Sequence, residues 1–324
     1  MKTEGRLRPV NVPSPQSKPG DPRVGALVSS VLAADTAVAL IGFPTDAGVT
    51  RNGGRAGAAQ APDKIRSALF KFTPDAETPR ASEALWRRVA DLGDIAVTGD
   101  LAVDQAVLGD VVADLLARSV VPIILGGGHE TAFGHFLGYA VADRKVGIIN
   151  VDAHLDVREL VDGKGHSGSP FREARDHPSQ ACLSYEVLGV APHACAAAHL
   201  EYVRSRGGEC LFRAGVTVNA IDRIVGGADR PTLLTLDLDA VDAAFSPGVS
   251  APCVGGLSPD LWLHAAWAGG KNRNVQSFDI VEYNPTYDID DRTARLAALT
   301  VWYIVKGLGE RFVDVTKPRL GFRS

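Results

Sequence analysis

The stretch VGIINVDAHLD, residues 146–156, joins a short apolar run to three side chains that can bind a metal. A run of β-branched and apolar residues is typical of a strand that is buried on both faces, as in a parallel sheet covered by helices. In such sheets ligands bind outside the carboxyl ends of the strands. The stretch therefore predicts a parallel sheet and a binding site where the strand ends at Asp152.

Similar apolar runs alternate with segments of helical periodicity from about residue 37 to the end of the chain. The predicted strands are Val38–Phe43, Arg88–Ile95, Val120–Leu125, Val146–Val151, Cys182–Val190, Glu209–Phe212, Thr232–Leu238 and Val275–Val281. The predicted helices are Ala58–Phe70, Leu101–Arg118, Thr131–Ala142, Pro192–Arg206, Val216–Val225, Pro259–Trp267 and Arg292–Leu308. This alternation predicts an α/β protein, a three-layer α/β/α sandwich with a mainly parallel central sheet.

Composition and charge exclude several classes of protein. The 324 residues are 45% hydrophobic and 22% charged, which is typical of a globular protein. The net charge is -4 and no run of Lys and Arg occurs, which argues against nucleic acid and anionic membranes as partners. No apolar run approaches the roughly 18 residues of a membrane span. The 4 cysteines show no CxxC spacing, so we expect a reducing cytoplasm.

The first 30 residues are rich in Pro, Ser and Gly and lack the apolar core of a secretory signal. We interpret residues 1–36 as a mostly extended N-terminal arm. No composition typical of a linker divides the rest of the chain, so residues 37–324 are predicted to form a single domain.

Two further motifs follow predicted strands. They are GGGHE at residues 126–130, which contains His129, and DLD at residues 237–239, which contains Asp237 and Asp239. Alternate residues of an extended segment point to one face, so Asp152, His154 and Asp156 can converge, as can the two aspartates of DLD. Taken singly, each motif also fits a structural histidine or a helix-capping aspartate. Together they predict a metal site, because so many buried carboxylates would repel one another without cations. Mn²⁺ is favoured, and Zn, Fe, Co or Ni also suit such ligands.

At these residues the sequence resembles the ureohydrolase superfamily, which includes arginase, agmatinase and formimidoylglutamase. The family motifs GG-x-H, D-A-H-x-D and D-x-D occur here in the same order, and the resemblance runs from about Ile41 to Gly307. Four details are most similar to formimidoylglutamase. They are the GGGHE motif, the following Phe133-Gly134-His135, the stretch FSPGVSAP at residues 245–252, and DIDDRTAR at residues 288–295.

The resemblance implies two Mn²⁺ ions per subunit. His129, Asp152, Asp156 and Asp237 would bind one ion; Asp152, His154, Asp237 and Asp239 would bind the other. Asp152 and Asp237 would bridge the ions, and a hydroxide between them would attack a planar amidine carbon. For N-formimidoyl-L-glutamate, an intermediate of histidine degradation, the products would be L-glutamate and formamide.

The resemblance also implies roles for residues beyond the metal ligands. Asp156 would pass a proton to the leaving amine, His166 would act as a proton shuttle, and Glu282 would pair with the cationic substrate group. Arg158 is predicted to bind a substrate carboxylate, with Ser250 and Arg51 as further substrate-binding candidates. Arg51 and Arg55, which flank a glycine loop, are weaker candidates than Arg158, and His135 is interpreted as a structural residue of a helix.

Two other functions stay open on the sequence. One is an agmatinase, guanidinobutyrase or arginase-type enzyme that releases urea from a guanidino substrate, against which Arg158 and the glycine before His129 argue. The other is a non-catalytic scaffold with the same fold, which would have no need of six intact ligands. The family resemblance also implies a homo-oligomer, and no heptad pattern settles its state.

Overall fold

The structure, a computed structural model, describes residues 5–10, 12–13 and 15–316 and contains one sheet of nine strands in that part of the chain. The strands are β1 (Leu7–Arg8), β2 (Val38–Phe43), β3 (Val89–Ile95), β4 (Val121–Gly126), β5 (Val146–Val151), β6 (Cys182–Val190), β7 (Glu209–Phe212), β8 (Thr232–Asp237) and β9 (Val275–Val281). Their order in the sheet is β1-β3-β2-β4-β9-β8-β5-β6-β7. The β1–β3 pair is antiparallel and the other neighbouring pairs are parallel, which confirms the predicted mainly parallel sheet.

Helices cover the sheet on both faces. They are α1 (Val24–Leu27), α2 (Ala47–Arg51), α3 (Ala61–Leu69), α4 (Pro79–Trp86), α5 (Leu101–Ala117), α6 (Thr131–Val141), α7 (Pro170–Arg175), α8 (Ala197–Ser205), α9 (Val218–Ile221), α10 (Pro259–Lys271) and α11 (Arg292–Thr316). None of the described helices is both long and apolar enough to cross a membrane.

Two hydrophobic cores flank the sheet, because successive side chains of a strand point to opposite faces. Leu40 and Ile123 belong to one core, with side chains of α3, α10 and α11. Ile41 and Ile124, their neighbours along β2 and β4, belong to the other, with side chains of α5 and α6. Burial of each such side chain stabilises the fold by about 1.5–3 kcal/mol. The two cores confirm the three-layer α/β/α arrangement.

The structure differs from the predicted elements mainly in the short segments. The helix predicted from Pro192 begins only at Ala197, and α2, α4 and α7 were not predicted. The predicted helix from Val216 is a four-residue α9 followed by a π-helical turn, Asp222–Gly226. These helices are 4–9 residues long, and short helices depend on tertiary contacts rather than on their own periodicity.

The N-terminal segment contains more regular structure than the predicted extended arm. Strand β1 pairs with β3 through Leu7 and Ile95, and α1 buries Val24 and Leu27. The division of the chain into an arm, residues 1–36, and a domain, residues 37–324, stays a prediction.

Candidate metal centre

The three metal-binding motifs and Glu282 lie at the ends of four strands that are adjacent in the sheet, in the order β4-β9-β8-β5. His129 lies three residues beyond the end of β4, and Asp152 directly follows β5. Asp237 is the last residue of β8, and Glu282 directly follows β9. All four strands run in the same direction, so their carboxyl ends bring these side chains to one edge.

The glycines before His129 allow the chain to turn within a crowded space. A Cβ atom at Gly127 would overlap the carbonyl oxygen of Thr45, and one at Gly128 would overlap the carboxylate of Glu130. Only glycine fits such a close approach of backbone to its neighbours. The glycines thereby let the chain after β4 carry His129 to the strand ends.

Four donor atoms converge in the first group of ligands, which consists of His129, Asp152, Asp156 and Asp237. The Nδ1 atom of His129 lies 2.8 Å from Oδ2 of Asp237, 2.9 Å from Oδ2 of Asp156 and 3.4 Å from Oδ2 of Asp152. This buried nitrogen nevertheless makes no hydrogen bond of acceptable geometry in the described chain. Atoms that lie close together without pointing at one another fit a cation at their centre.

The second group consists of Asp152, His154 and Asp239. Nδ1 of His154 lies 3.1 Å from Oδ2 of Asp239 and 3.4 Å from Oδ1 of Asp152. Asp152 therefore faces the first group with Oδ2 and the second with Oδ1, as a bridging carboxylate does.

Asp237 belongs only to the first group, although the resemblance implies that it bridges as well. Its Oδ1 atom accepts a hydrogen bond of 2.9 Å from the backbone N–H of Asp239. The bridging role of Asp237 stays a prediction.

The charges at this edge are not balanced by the protein itself. Burial raises the pKa of Asp237 well above its usual range, and the charges of Asp239 and Asp152 raise it further. Burial lowers the pKa of His129, but the charge of Asp237 and the close approach of the Asp152 and Asp156 carboxylates outweigh burial and raise it well above its usual value. Buried carboxylates that repel one another are stabilised by cations, so the donor set fits a pair of divalent ions.

A buried chain of hydrogen bonds extends from the other side of His129. Its Nε2 lies 3.0 Å from the hydroxyl of Thr235, which in turn donates to Asp279. Because the Thr235 proton goes to Asp279, the Thr235 oxygen accepts from Nε2–H of His129. This bond keeps the proton on Nε2 and leaves Nδ1 of His129 free for a metal.

Asp279 is held in turn by His135, whose Nδ1 lies 2.7 Å from Oδ2 of the carboxylate. The other ring nitrogen of His135 and the hydroxyl of Tyr139 each lie 2.6 Å from the hydroxyl of Ser277. His135 and Asp279 have no exposed surface. The only signal of these hydrogen bonds in the sequence is the position of Thr235, which lies two residues before Asp237 and hence on the same face of β8.

A cavity of about 280 Å³ opens beside the metal ligands, and His154, Asp156, Asp237 and Asp239 contribute to its wall. Three residues singled out in the sequence also line it: Glu282, Arg158 and Ser250. Asn52 and Arg55, from the loop after α2, complete its polar side. The cavity therefore has acidic ligands at one end and two guanidinium groups in its wall.

Glu282 is fixed by the same turn that positions His129. Its backbone N–H donates to the carbonyl oxygen of Gly127, and its Oε1 accepts the backbone N–H of His129, both at 2.8 Å. Its φ of 65° is strained for a residue with a side chain. Burial raises the pKa of Glu282 to about 8, and the charge of Glu130 contributes to the shift.

Glu130 is a residue of the site that the sequence did not indicate beyond its place in GGGHE. The side chain is buried, and its Oε1 accepts the backbone N–H of Gly48 in α2 at 2.8 Å. Burial raises the pKa of Glu130 to about 7. Through this bond the segment that carries His129 is tied to the helix that precedes Asn52 and Arg55.

Two predicted residues lie apart from the cavity. His166 is buried; its Nε2 donates to the carbonyl oxygen of Glu159 at 2.9 Å, and its Nδ1 accepts the backbone N–H of Gly168 at 3.1 Å. Arg51 donates to the carbonyl oxygen of Gly165 and lines a neighbouring cavity. The structure thus brings together the six metal ligands, Glu282, Arg158 and Ser250. His166 and Arg51 do not line the cavity beside the metal ligands.

Comparison with known proteins agrees with this geometry. The model of the arginase family matches residues 36–306. A formimidoylglutamase of Rhodococcus jostii (strain RHA1) is 38% identical over 284 residues, which are 83% of this chain and 85% of the relative. A formimidoylglutamase of Chromobacterium violaceum is 37% identical over 84% of this chain and 88% of its own.

Solved structures of formimidoylglutamases are similar as well. The formiminoglutamase of Trypanosoma cruzi with two Mn²⁺ ions superimposes with a TM-score of 0.82 at 31% identity, covering 90% of this chain and 99% of its own. The formimidoylglutamase of Bacillus subtilis gives a TM-score of 0.81 at 26% identity, covering 95% and 98% of the two chains.

Proposed function

Because this chain belongs to the arginase family, we propose that it is a manganese-dependent formimidoylglutamase. The reaction adds water across one C–N bond of N-formimidoyl-L-glutamate and yields L-glutamate and formamide. The observation that carries the proposal is the position of Arg158 and Glu282 on the wall of one cavity with the metal ligands. An acidic substrate with a cationic amidine end needs both kinds of partner.

The residues that would hold the metal pair are the six ligands of the two groups, with Asp152 between them. Two divalent cations, when bound, would make water a nucleophile at neutral pH and would stabilise the negative charge on its oxygen as it attacks the amidine carbon. The chain itself must bind the substrate, orient it and move the protons.

Glu282 is proposed to orient the substrate by accepting hydrogen bonds from the formimino nitrogens. Its carboxylate lines the cavity, and its backbone is held by Gly127 and His129. A rigid backbone fixes the position of the carboxylate, so the amidine carbon is presented to water in a defined direction.

Asp156 is proposed to carry the proton from the attacking water to the leaving amine. It lines the cavity, and its φ of 44° is strained in the same way as that of Glu282. A carboxylate that accepts a proton as water attacks and returns it to nitrogen as the C–N bond breaks acts as base and then as acid.

Arg158 is proposed to bind a carboxylate at the far end of the substrate. Its Nη1 lies 3.4 Å from Oδ1 of Asn52, and no salt bridge to a described acidic residue occupies it. Arg55 is less available, because it donates to the carbonyl oxygens of Ser250 and Val249 and stacks on Tyr287 at 3.8 Å. Ser250 has its hydroxyl engaged by the backbone N–H of Arg55, so we propose that it shapes the cavity wall.

The roles of His166 and Arg51 stay predictions, and their hydrogen bonds to the backbone add a condition to each role. A proton shuttle through His166 requires its ring to leave Glu159 and Gly168, since both ring nitrogens are hydrogen-bonded to backbone. Arg51 supports the loop around Gly165, so we propose that it positions this loop rather than touching substrate.

The proposal is tested by assaying the Mn²⁺-loaded protein for glutamate release from N-formimidoyl-L-glutamate. Agmatine, 4-guanidinobutyrate and arginine are assayed alongside for release of urea. We expect turnover of the formimidoyl substrate alone, and its loss in the Asp237→Ala variant. Release of urea from a guanidino compound would support hydrolysis of a C–N bond but contradict N-formimidoyl-L-glutamate as the substrate. No turnover of any of these compounds by protein with two bound ions would favour the non-catalytic scaffold.

A further inference from the structure

A second cavity, of about 180 Å³, lies at the edge of the sheet opposite to the metal centre. Val121, the first residue of β4, and Gln276, the second residue of β9, contribute to its wall. These are the amino ends of strands whose carboxyl ends lead to His129 and Glu282. The cavity is therefore separate from the proposed catalytic site.

Three arginines from three different elements line this cavity. Arg144 lies between α6 and β5, Arg273 lies between α10 and β9, and Arg311 belongs to α11. The wall contains no Asp or Glu. Among the side chains that the structure describes, which end at residue 312, salt bridges occupy other arginines and none of these three. Three positive charges thus converge, and no described acidic side chain pairs with them.

Neutral acceptors orient the guanidinium groups but do not compensate their charge. Arg144 donates to the side-chain oxygen of Gln276 at 2.7 Å, and Arg311 donates to the carbonyl oxygen of Val275 at 2.9 Å. Arg273 donates to the carbonyl oxygen of Arg311 at 3.2 Å. A guanidinium group has five N–H donors, so donors remain on each arginine for a further acceptor.

The proximity of these charges has a cost. Burial lowers the pKa of Arg311, and the charge of Arg273 lowers it further. An anion among the three groups would remove the repulsion and accept charge-assisted hydrogen bonds, which are about twice as strong as neutral ones. With an anion bound, the arginines that otherwise repel one another would stabilise the protein.

We propose that this cavity is a binding site for a small oxyanion with the size and charge of phosphate. A volume of about 180 Å³ is large enough to hold a phosphate. Guanidinium groups match the oxygens of phosphate in pairs, and three of them suit a multivalent anion better than a single carboxylate. Ser119 in the wall adds a hydroxyl that can donate to an oxygen.

The test is binding of inorganic phosphate to the metal-loaded full chain, measured by isothermal titration calorimetry and by thermal unfolding. Sodium chloride balances the ionic strength, since screening alone changes the behaviour of exposed charges. We expect saturable binding, and a melting temperature that rises with phosphate concentration as it does for any ligand of the folded state.

Two variants connect the binding to the cavity. Arg273→Gln removes the exposed arginine, and Arg144→Gln removes a partly buried one. Each variant is expected to weaken phosphate binding about tenfold or more, because it loses a charge-assisted contact to the anion. The matched control is Arg118→Gln, because Arg118 precedes Ser119 in the chain yet pairs with Asp114 at 3.1 Å outside the cavity. It should leave the affinity within about twofold.

Three results would overturn the proposal. Absence of saturable phosphate binding is the first. Equal affinity in the wild type and in both cavity variants is the second, because the phosphate would then occupy the metal centre. The third is weak phosphate binding together with a change in molecular mass of the Arg273→Gln protein in analytical ultracentrifugation, which would assign the arginines to an interface between copies of the chain.

Discussion

The hydroxyl of Thr235 lies between His129 and Asp279, so a carboxylate that never touches the ligand histidine decides which of its nitrogens carries the proton. The relationship resembles the carboxylate–histidine–metal arrangement of other metal sites, with one hydroxyl inserted. The first prediction follows from it.

Thr235→Val should lower the affinity for Mn²⁺ about 10–100-fold, the usual effect of removing a group that orients a metal ligand. The shape of the side chain is kept, but Nε2 of His129 loses its acceptor. The measurement is the metal content of the purified protein at a series of buffered free Mn²⁺ concentrations. Thr235→Ser retains the hydroxyl and should bind metal like the wild type; equal loss in both variants would refute the orienting role.

Asp152 and Asp239 should differ in the number of metal ions that they bind. Asp152 faces both ligand groups, whereas Asp239 belongs to one. Asp152→Asn is therefore expected to reduce binding of both ions, and Asp239→Asn to spare the ion beside His129. Metal analysis after dialysis measures the ratio directly. An Asp152→Asn protein that retains one tightly bound ion would show that this carboxylate does not bridge.

Arg158→Gln should raise KM for N-formimidoyl-L-glutamate about tenfold to a hundredfold with a smaller change in kcat. The expected size is that of one charge-assisted contact to a substrate carboxylate. Steady-state kinetics provides both constants. Arg51→Gln is the matched control, because Arg51 donates to Gly165 outside the cavity. A larger KM effect at Arg51 than at Arg158 would contradict the proposed orientation of the substrate.

The metal-free protein should become less stable as the pH rises from about 4.5 to 8. Glu130 and Glu282 have pKa values raised to about 7 and about 8, so the folded state binds protons that the unfolded state has already lost. For a raised carboxyl pKa, the contribution to the free energy of unfolding is complete below the unfolded pKa and disappears as the pH rises through the folded pKa.

Urea unfolding of the chelator-treated protein at pH 5.5 and pH 8 measures this slope. Glu130→Gln removes one of the two groups and should flatten the curve. A free energy of unfolding that rises with pH in the metal-free wild type would contradict the raised pKa values of these two buried carboxyls.

The strands could be predicted from the sequence because their signal is local. The apolar runs that end at Phe43 and at Val151 mark β2 and β5 within the same boundaries as the structure. Since ligands collect at the carboxyl ends of parallel strands, the positions of His129, Asp152 and Asp237 on one edge followed from the same signal.

What the sequence did not reveal depends on partners far away in the chain. Glu130 contacts Gly48 across 82 residues, and His135 contacts Asp279 across 144. Sequence periodicity does not indicate such a distant contact. Glu130 was therefore given no role beyond its place in the GGGHE motif, and His135 was interpreted as a structural residue. Arg158 was the preferred carboxylate-binding residue and Arg51 a weaker candidate, and the packing of the loop around Gly165 now separates the two.

The strand order also dictates when the centre can form during biosynthesis. Strands β4 and β5, which precede His129 and Asp152, are separated in the finished sheet by β9 and β8, which are translated last among the strands. Because β9 ends at Val281, we expect a shorter nascent chain not to hold these two ligands at their final separation. Manganese capture would then be a late event that marks a completed polypeptide, and truncated products would leave the ribosome without the stabilisation that the ions provide.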